Sequence, residues 1–516
     1  GYHPKIPFER FGFTNVGDFM RVFKSDIVKC DVALFKAELT NIGLKCSGFI
    51  INNIACNIKK LILGITDDSR DVKNGYLFVA RAGINSHGIK FIDNAISNGA
   101  LCILSDQPKP NGVKIPFISS KNLESLLIKF LFNFYDLDED HFLVHGVTGT
   151  NGKTSSTTLM YQLFKSFNKK AGLISTNIIL VNDIEFNTSQ TTPDSLFLNY
   201  ILNEMVNSKV EYCFMEVSSH AISQLRTYNL NFNVGVFTNL THDHLDYHKS
   251  FKDYRDVKKI FFDCLPKSSF AITNVDDKNG NYMVQNAVCK IFSYSLKSNS
   301  DFSLKILEKD FNGMKLLIND TELWTKLTGN FNAYNILTVF CVAKVFNISD
   351  ELILQKISSL NSPEGRFELV NLNSDKIGII DYAHSPDSLK NVLNTINDIK
   401  NLSESLITVV GCGGDRDPGK RPQMGAVACA ADQLVITSDN PRSEKAEEIL
   451  KEMTGGINLG EKGFVLTDRK DAINFAVKMA KSGDCIMLMG KGHESGQEIN
   501  GVITPFDDRI ELLNSI

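Results

Sequence analysis

No apolar run in this chain of 516 residues is long enough to cross a membrane, so membrane insertion is not expected. Nor is there a basic block to follow a nucleic-acid backbone, and with a formal charge of −4 the electrostatics give no support to DNA or RNA as a partner. CxxC pairs and His-rich companions are missing too. The eleven cysteines are scattered, Cys46 and Cys56 being the closest two, and they are expected as buried thiols of a reducing cytoplasm rather than as disulfides or a zinc site. Internal repeats and low-complexity stretches are absent. The opening Gly1-Tyr-His-Pro-Lys-Ile-Pro7 has neither an initiating methionine nor a signal-type apolar segment, as a trimmed end would look. What remains is an ordinary globular composition, 43% hydrophobic and 22% charged, long enough for two to four domains.

Against that background one stretch stands out, Gly146-Val-Thr-Gly149-Thr150-Asn151-Gly152-Lys153-Thr154. An apolar run, Phe142-Leu-Val-His-Gly, precedes it, and a helical pattern with Leu159, Met160, Leu163 and Phe164 on one face follows. Strand, glycine-rich loop and helix in that order cradle a nucleoside triphosphate. Backbone N–H groups wrap the phosphates, Lys153 reaches the terminal ones and the Thr154 hydroxyl faces Mg²⁺. Val147 stands where the usual spacing places the first glycine. ATP and GTP both fit this loop, but the guanine-reading Asn-Lys-x-Asp of a GTPase switch is missing.

The rest of the chain reads as α/β with mostly parallel sheets. A small unit from about residue 60 mixes apolar runs such as Gly75-Tyr-Leu-Phe-Val-Ala80 with a helix through Phe91, Ile92, Ala95 and Ile96, and ends near Ser119-Ser120. An apolar helix beginning at Leu123 leads into the phosphate-loop strand, and Tyr212–Glu216 and the run from Val234 read as its neighbours. Asn361-Ser-Pro-Glu-Gly365 is a linker candidate. Beyond it, four apolar strands run straight into polar clusters: 377–380 into Asp381-Tyr-Ala-His384, 406–410 into Gly411–Arg416, 433–437 into Asp439–Arg442, and 485–489 into Gly490–Glu494. In a doubly wound parallel sheet such strand ends share one edge, so the clusters converge on a crevice suited to a small zwitterion or polyion. Residues 1 to about 40 carry no readable motif.

Glu216, at the tip of the strand beside the phosphate loop, is placed to hold Mg²⁺ or to be a buried, paired carboxylate. Thr241-His-Asp-His244-Leu-Asp-Tyr-His248 packs three histidines and two aspartates into eight positions. By residue type this suits a second cation, a phosphate contact or a zinc-like site equally. Composition alone makes Lys258 an ordinary helix lysine.

Taken together, Gly146–Thr154, Met215–His220, Asn239–His248, Asp381–Asp387 and Gly490–Glu494 resemble the Mur ligases of peptidoglycan synthesis, in order and over about residues 60 to 510. That family places its first loop glycine one residue early, as here. Within it the chain looks closest to the branch that adds meso-diaminopimelate. The resemblance implies three domains: 1–120 binding UDP (with 1–40 an unmatched extension), 121–362 binding ATP, and 363–516, Rossmann-like, binding the amino acid. It further implies that ATP phosphorylates the D-Glu carboxylate of UDP-N-acetylmuramoyl-L-Ala-D-Glu and that an amine then displaces phosphate. Lys153, Glu216, His244 and Lys258 become the catalytic set. Thr154, Glu216, His244 and Lys258 would hold two Mg²⁺, with Lys258 as a CO₂-derived carbamate (N6-carboxylysine). Val257 replaces an alanine usual beside that lysine, which leaves Lys259 as the alternative carrier.

By the same resemblance Gly149 to Thr154, Asn332, Asn335, Arg366 and Asp381 meet ATP, with Phe331 replacing a histidine of some relatives. Ser69, the loop after Gly83, Thr191, Thr192, Ser218, Gln224 and Arg226 meet the UDP-linked dipeptide. Arg416, Asp439, Asn440, Pro441, Arg442, Gly490 and Glu494 meet diaminopimelate. A forked guanidinium suits the second carboxylate of that acceptor, and in the resembled family Asp-Asn-Pro-Arg marks diaminopimelate enzymes. Lanthionine, lysine and ornithine are the rival acceptors, and folylpolyglutamate synthesis is a rival ligase reading. A nucleotide-gated switch or a dead scaffold is the reading from another class. A cytoplasmic monomer whose C-terminal domain turns on the linker near Pro363 completes the expectation.

Overall fold

The computed structural model describes residues 62–83, 86–138, 141–245, 247–372 and 376–516. The unmatched N-terminal stretch and residues 84–85 of the loop after Gly83 lie outside them. Three sheets carry the chain, each built around continuous apolar runs. The first has four parallel strands in sequential order, Gly64–Thr66, Tyr76–Ala80, Ala100–Ser105 and Phe117–Ser119. Leu77, Val79, Leu104 and Leu127 pack on one face of it, and Phe78, Ile92 and Ile103 on the other.

The second sheet has eleven strands. Its parallel centre runs Lys290–Ser295, Phe270–Asn274, Phe232–Phe237, Leu143–Thr148, Tyr212–Glu216 and Ala171–Ile174, and the outermost strands on both sides turn antiparallel. Its central strands are buried on both faces: Val144 joins one apolar layer with Phe237 and Phe262, and Val147 joins the other with Leu159, Leu163 and Phe340. This is why those strands read as uninterrupted hydrophobic runs rather than as alternation.

The third sheet orders Glu368–Asn371, Ile377–Asp381, Cys485–Met489, Leu406–Val410, Gln433–Thr437 and Gly463–Leu466. All its pairs are parallel except the first, an antiparallel edge strand with no distinct sequence signal. The four expected strands therefore do end on one edge. A hairpin, Gly496–Ile499 with Val502–Pro505, follows and packs back on that edge.

The cysteine expectation needs a correction. Cys102, Cys213, Cys289, Cys341 and Cys485 are buried, but Cys264 and Cys429 are exposed, because each directly follows the end of a surface helix. No helix among the described residues is long and apolar enough to cross a membrane.

Candidate active site

Between the strand ending at Thr148 and the helix Lys153–Ser166, the phosphate loop is shaped by two glycines with left-handed backbones. Gly149 has φ 152° and Gly152 has φ 86°. A Cβ on Gly149 would fall 2.0 Å from Thr238 Oγ1, and one on Gly152 would fall 2.8 Å from Asn335 Oδ1. Any larger residue would push the loop off its support. Asn239 also ties the loop down, since its side chain accepts from Asn151 N at 3.0 Å and its carbonyl accepts from Thr150 N at 2.8 Å.

Lys153 folds back on this loop, donating to the carbonyls of Gly149 at 3.0 Å and Thr150 at 2.7 Å. From the helix Phe251–Asp263, Lys258 reaches the same Gly149 carbonyl at 2.9 Å. Burial, with Lys153 close by, pushes the Lys258 ammonium well below its ordinary pKa. Lys259, the alternative carrier, instead pairs with Asp263 at 2.5 Å.

Glu216 is fully buried. Its Oε1 accepts from Thr154 Oγ1 at 2.8 Å, Thr176 N at 2.7 Å and Thr176 Oγ1 at 3.1 Å, while its Oε2 is buried with no hydrogen-bond partner. An orphaned carboxylate oxygen beside a phosphate loop is the valence a hard cation fills, so this donor set fits Mg²⁺.

His244 has a left-handed backbone, φ 54°, and its ring lies edge-on to those of His220 and Tyr254. Desolvation, with Lys153 and Lys258 nearby, lowers its pKa to about 4, so the imidazole is neutral near pH 7 and has a lone pair to offer. Among the described residues no group of three or more His, Cys, Asp or Glu is arranged to hold a metal. The loop splays its side chains apart: His242 is exposed, His248 meets Ser219 Oγ at 2.9 Å, and Asp243 pairs with Lys420.

That last contact crosses the cleft. The C-terminal unit also sends Arg366 to Thr154 Oγ1 at 3.3 Å, and Asp387 accepts from Asn151 Nδ2 at 3.1 Å. Between the two units lies a cavity of about 620 Å³ lined by Asn151, Gly152, Tyr334, Asn335, Arg366 and Asp381 among others. Burial lifts Asp381 to about 6, and its two oxygens accept from the N–H groups of Phe367 and Ala383, both at 2.7 Å. Asn332 does not line the cavity; its Oδ1 accepts from Asn335 Nδ2 at 3.1 Å from behind.

The residues expected at the dipeptide divide in two. Thr192 donates to the Glu216 carbonyl at 2.7 Å, Ser218 caps the short helix Ser219–Ser223, and Thr191 accepts from Thr176 Oγ1 at 3.1 Å. Arg226 joins this set through the Thr192 carbonyl at 2.5 Å and through Gln224 Oε1. It is buried, and its hydrogen bonds go to uncharged oxygens alone, which leaves a cation in want of an anion. Ser69 is apart from them, in the first sheet's unit, where its carbonyl accepts from Asn98. The two units are joined through Arg81, which meets Asp67 at 2.7 Å, Glu124 at 3.2 Å and Asp194 at 3.4 Å.

On the C-terminal edge, Asp439–Arg442 meets Gly411–Arg416 and Gly490–Glu494. Gly414 N donates to the Asn440 carbonyl at 2.8 Å, and Asn440 Nδ2 donates to Glu494 Oε2 at 2.7 Å. Pro441 follows Asn440 and leads into Arg442, whose backbone is left-handed at φ 53°. The Arg442 guanidinium donates to the Gly414 carbonyl at 2.7 Å and faces Glu498 at 3.3 Å. Arg416 is exposed, without a hydrogen bond or ion pair among the described residues. A Cβ on Gly490 would lie 2.6 Å from Asp439 Oδ2. Sequence reasoning missed Asn239, Asp243, Lys420 and Lys491. Asn239, Asp243 and Lys491 each had a signal, their place inside a singled-out cluster; Lys420 had none.

This arrangement puts a phosphate-binding loop with an unpaired carboxylate oxygen on one side of a cleft and, on the C-terminal sheet edge, a cluster of both charges in Arg416, Asp439, Arg442 and Glu494. The comparisons agree with it. Three family models match in order: "Mur ligase family, catalytic domain" over residues 61–129, "Mur ligase middle domain" over 147–343 and "Mur ligase, glutamate ligase domain" over 365–492. The chain is 44% identical over 464 residues to the UDP-N-acetylmuramoyl-L-alanyl-D-glutamate–2,6-diaminopimelate ligase of Cytophaga hutchinsonii, which covers 88% of this chain and 95% of the relative. It is 45% identical over 459 residues to the ligase of the same name from Bacteroides thetaiotaomicron, at 88% and 95% coverage. A solved structure of a ligase of that name superposes with a TM-score of 0.61 at 30% identity, covering 88% and 94% of the two chains. Likeness in fold alone reaches a Mycobacterium tuberculosis folylpolyglutamate synthase, TM-score 0.57 at 16% identity over 71% of this chain and 92% of that one. On three matched domains and relatives this similar along nearly their whole length, the chain belongs to the Mur ligase family.

Proposed function

We propose that this chain is an ATP-dependent ligase that joins meso-2,6-diaminopimelate to the D-Glu of UDP-N-acetylmuramoyl-L-Ala-D-Glu in peptidoglycan precursor synthesis. The relatives at 44 and 45% identity carry that activity in their names. The observation that carries the reading is the convergence just described: Lys153, Glu216 and Arg226 on one wall of the cleft, Arg416, Arg442 and Glu494 on the other, with Arg366 and Lys420 reaching across between them. We place the domain boundaries near residues 120 and 362. The protein is read as a cytoplasmic monomer.

A carboxylate is a poor electrophile, and it approaches a triphosphate only if the repulsion between the two is neutralised. Loop amides and Lys153 take the phosphates, while Arg226 takes an anionic group of the dipeptide and holds it in the cleft. A D-Glu carboxylate oxygen then bonds to the γ-phosphorus as the bond to ADP breaks. The acceptor amine, delivered unprotonated from the opposite pocket, bonds to the acyl carbon, and phosphate leaves with the C–O electron pair. Lys420 and Arg366 hold the two walls together, which keeps water from the acyl phosphate. Thr154, Glu216, His244 and Lys258 are the residues we assign to two Mg²⁺, which when bound supply charge neutralisation and Lewis acidity at the phosphates. Burial, with Lys153 close by, shifts Lys258 toward the neutral amine that CO₂ requires, which fits the role of carbamate carrier.

Steady-state rates with diaminopimelate, lanthionine, lysine and ornithine test the reading. Diaminopimelate should be strongly preferred over lysine and ornithine, whereas comparable turnover with lysine would overturn the acceptor assignment.

A further inference from the structure

Between Gly490 and Gly492, both left-handed, Lys491 has no exposed side-chain surface. Its Nζ donates to the Gly496 carbonyl at 2.6 Å, Asn440 Oδ1 at 3.2 Å and Glu494 Oε2 at 3.3 Å, and lies 3.9 Å from Asp439. All three ammonium protons are therefore used within the protein, and none is left for a substrate.

We propose that Lys491 is a positioning residue that sets acceptor choice, an inference resting on the acceptor pocket assigned above. The reasoning starts from Asn440. Its Oδ1 accepts from Lys491 and also from Glu498 N at 3.0 Å. Two donors on that oxygen fix which way the amide faces, so its Nδ2 points at Glu494 Oε2, 2.7 Å away. Lys491 and Asn440 together hold that one oxygen of Glu494. The other, Oε1, accepts nothing among the described residues and stays available to an ammonium. Arg442 and the exposed Arg416 supply donors for a carboxylate. The far end of the acceptor is thus read as a zwitterion, and Lys491 fixes the half that reads the amine.

Charge makes the second half of the argument. Burial and Asp439 already hold the Glu494 carboxyl above its usual range, with Lys491 acting in opposition. Without the ammonium, two carboxylates would face each other in a dry pocket, one of them would take up a proton, and the amide would be free to turn. A methionine would fill the volume without the desolvation cost of a buried charge, so the lysine contributes electrostatics and orientation rather than packing.

The test compares the full-length protein with Lys491→Met, Lys491→Gln and Lys491→Arg, varying diaminopimelate, lysine, ATP and UDP-dipeptide in turn with the remaining substrates saturating. Lys491→Met should raise KM for diaminopimelate on the order of tenfold or more and shrink the diaminopimelate-to-lysine preference, while KM for ATP stays unmoved. Lys491→Arg, which keeps the charge, should recover part of the loss. Should Lys491→Met not fold, Lys491→Gln, which keeps a donor but no charge, must show the same selective rise. An unchanged KM for diaminopimelate in either folded variant overturns the proposal, as does an equal loss for all three substrates. Wild-type protein that releases no phosphate in response to diaminopimelate overturns the acceptor assignment itself, and this proposal with it.

Discussion

On the phosphate side of the cleft, Lys153 and Lys258 both donate to the Gly149 carbonyl, and one oxygen of Glu216 has no partner among the described residues. On the acceptor side Lys491 spends every proton on Gly496, Asn440 and Glu494, and Arg442 is already held by Gly414 and Glu498. The first region keeps two lysines on a weak backbone acceptor and a carboxylate oxygen unsatisfied, so phosphate and metal would complete it. The second has Lys491 and Asn440 fixed before its ligand arrives, and leaves Glu494 Oε1 and the Arg416 guanidinium for it. A reaction centre has to bind charge that changes during chemistry, whereas a selecting pocket gains from rigidity, because an acceptor with the wrong end leaves buried polar groups unpaired.

The largest effect expected from this contrast is at Lys153. Lys153→Ala should lower kcat by about a hundredfold or more, measured as ADP release, with the circular dichroism spectrum unchanged. Retained turnover would mean that the loop amides suffice and that the phosphate side is as complete as the acceptor side. Next in size, Arg442→Ala should cost about 2 to 5 kcal/mol in kcat/KM for diaminopimelate and leave KM for ATP alone. A matching loss of ATP affinity would show that the two regions are not separate.

A pH titration sharpens the same contrast. The Glu494 carboxyl titrates above its ordinary range because of burial and of Asp439, so as pH falls it takes up a proton early for a carboxylate and gives up its hold on the amine. His244, at about 4, is still neutral there. KM for diaminopimelate should therefore climb on the acid side, and Glu494→Gln should abolish that climb; a climb that survives Glu494→Gln would break the account. The smallest effect belongs to the cross-cleft contact: Asp387→Asn weakens the bond from Asn151 and should cost about 1 kcal/mol of the closed state. Small-angle scattering with an ATP analogue and UDP-dipeptide would then show less compaction than the wild type, and identical profiles would remove Asp387 from the closing contacts.

Much of this was readable beforehand, for a physical reason. Strands 377–381, 406–410, 433–437 and 485–489 are buried on both faces, so they stand out as apolar runs, and the glycines and prolines that end them mark the functional edge. The phosphate loop was visible because its backbone geometry demands glycine. What stayed hidden depends on contacts distant in sequence. Lys420 and Asp243 are 177 residues apart, and nothing local marks either as half of a bridge. Lys491 sits in a singled-out cluster, yet only the fold shows that it is buried and turned inward. Half-exposed strands such as Phe302–Asp310 alternate too irregularly to be read.

The most direct measurement of the central claim is the stoichiometry of ADP, phosphate and UDP-linked tripeptide formed by the purified protein from ATP, UDP-N-acetylmuramoyl-L-Ala-D-Glu and diaminopimelate. The account predicts one of each per turnover and no steady ADP release when either the dipeptide or the amine is left out. Steady ADP release without them, or tripeptide formed without ATP consumption, would contradict it.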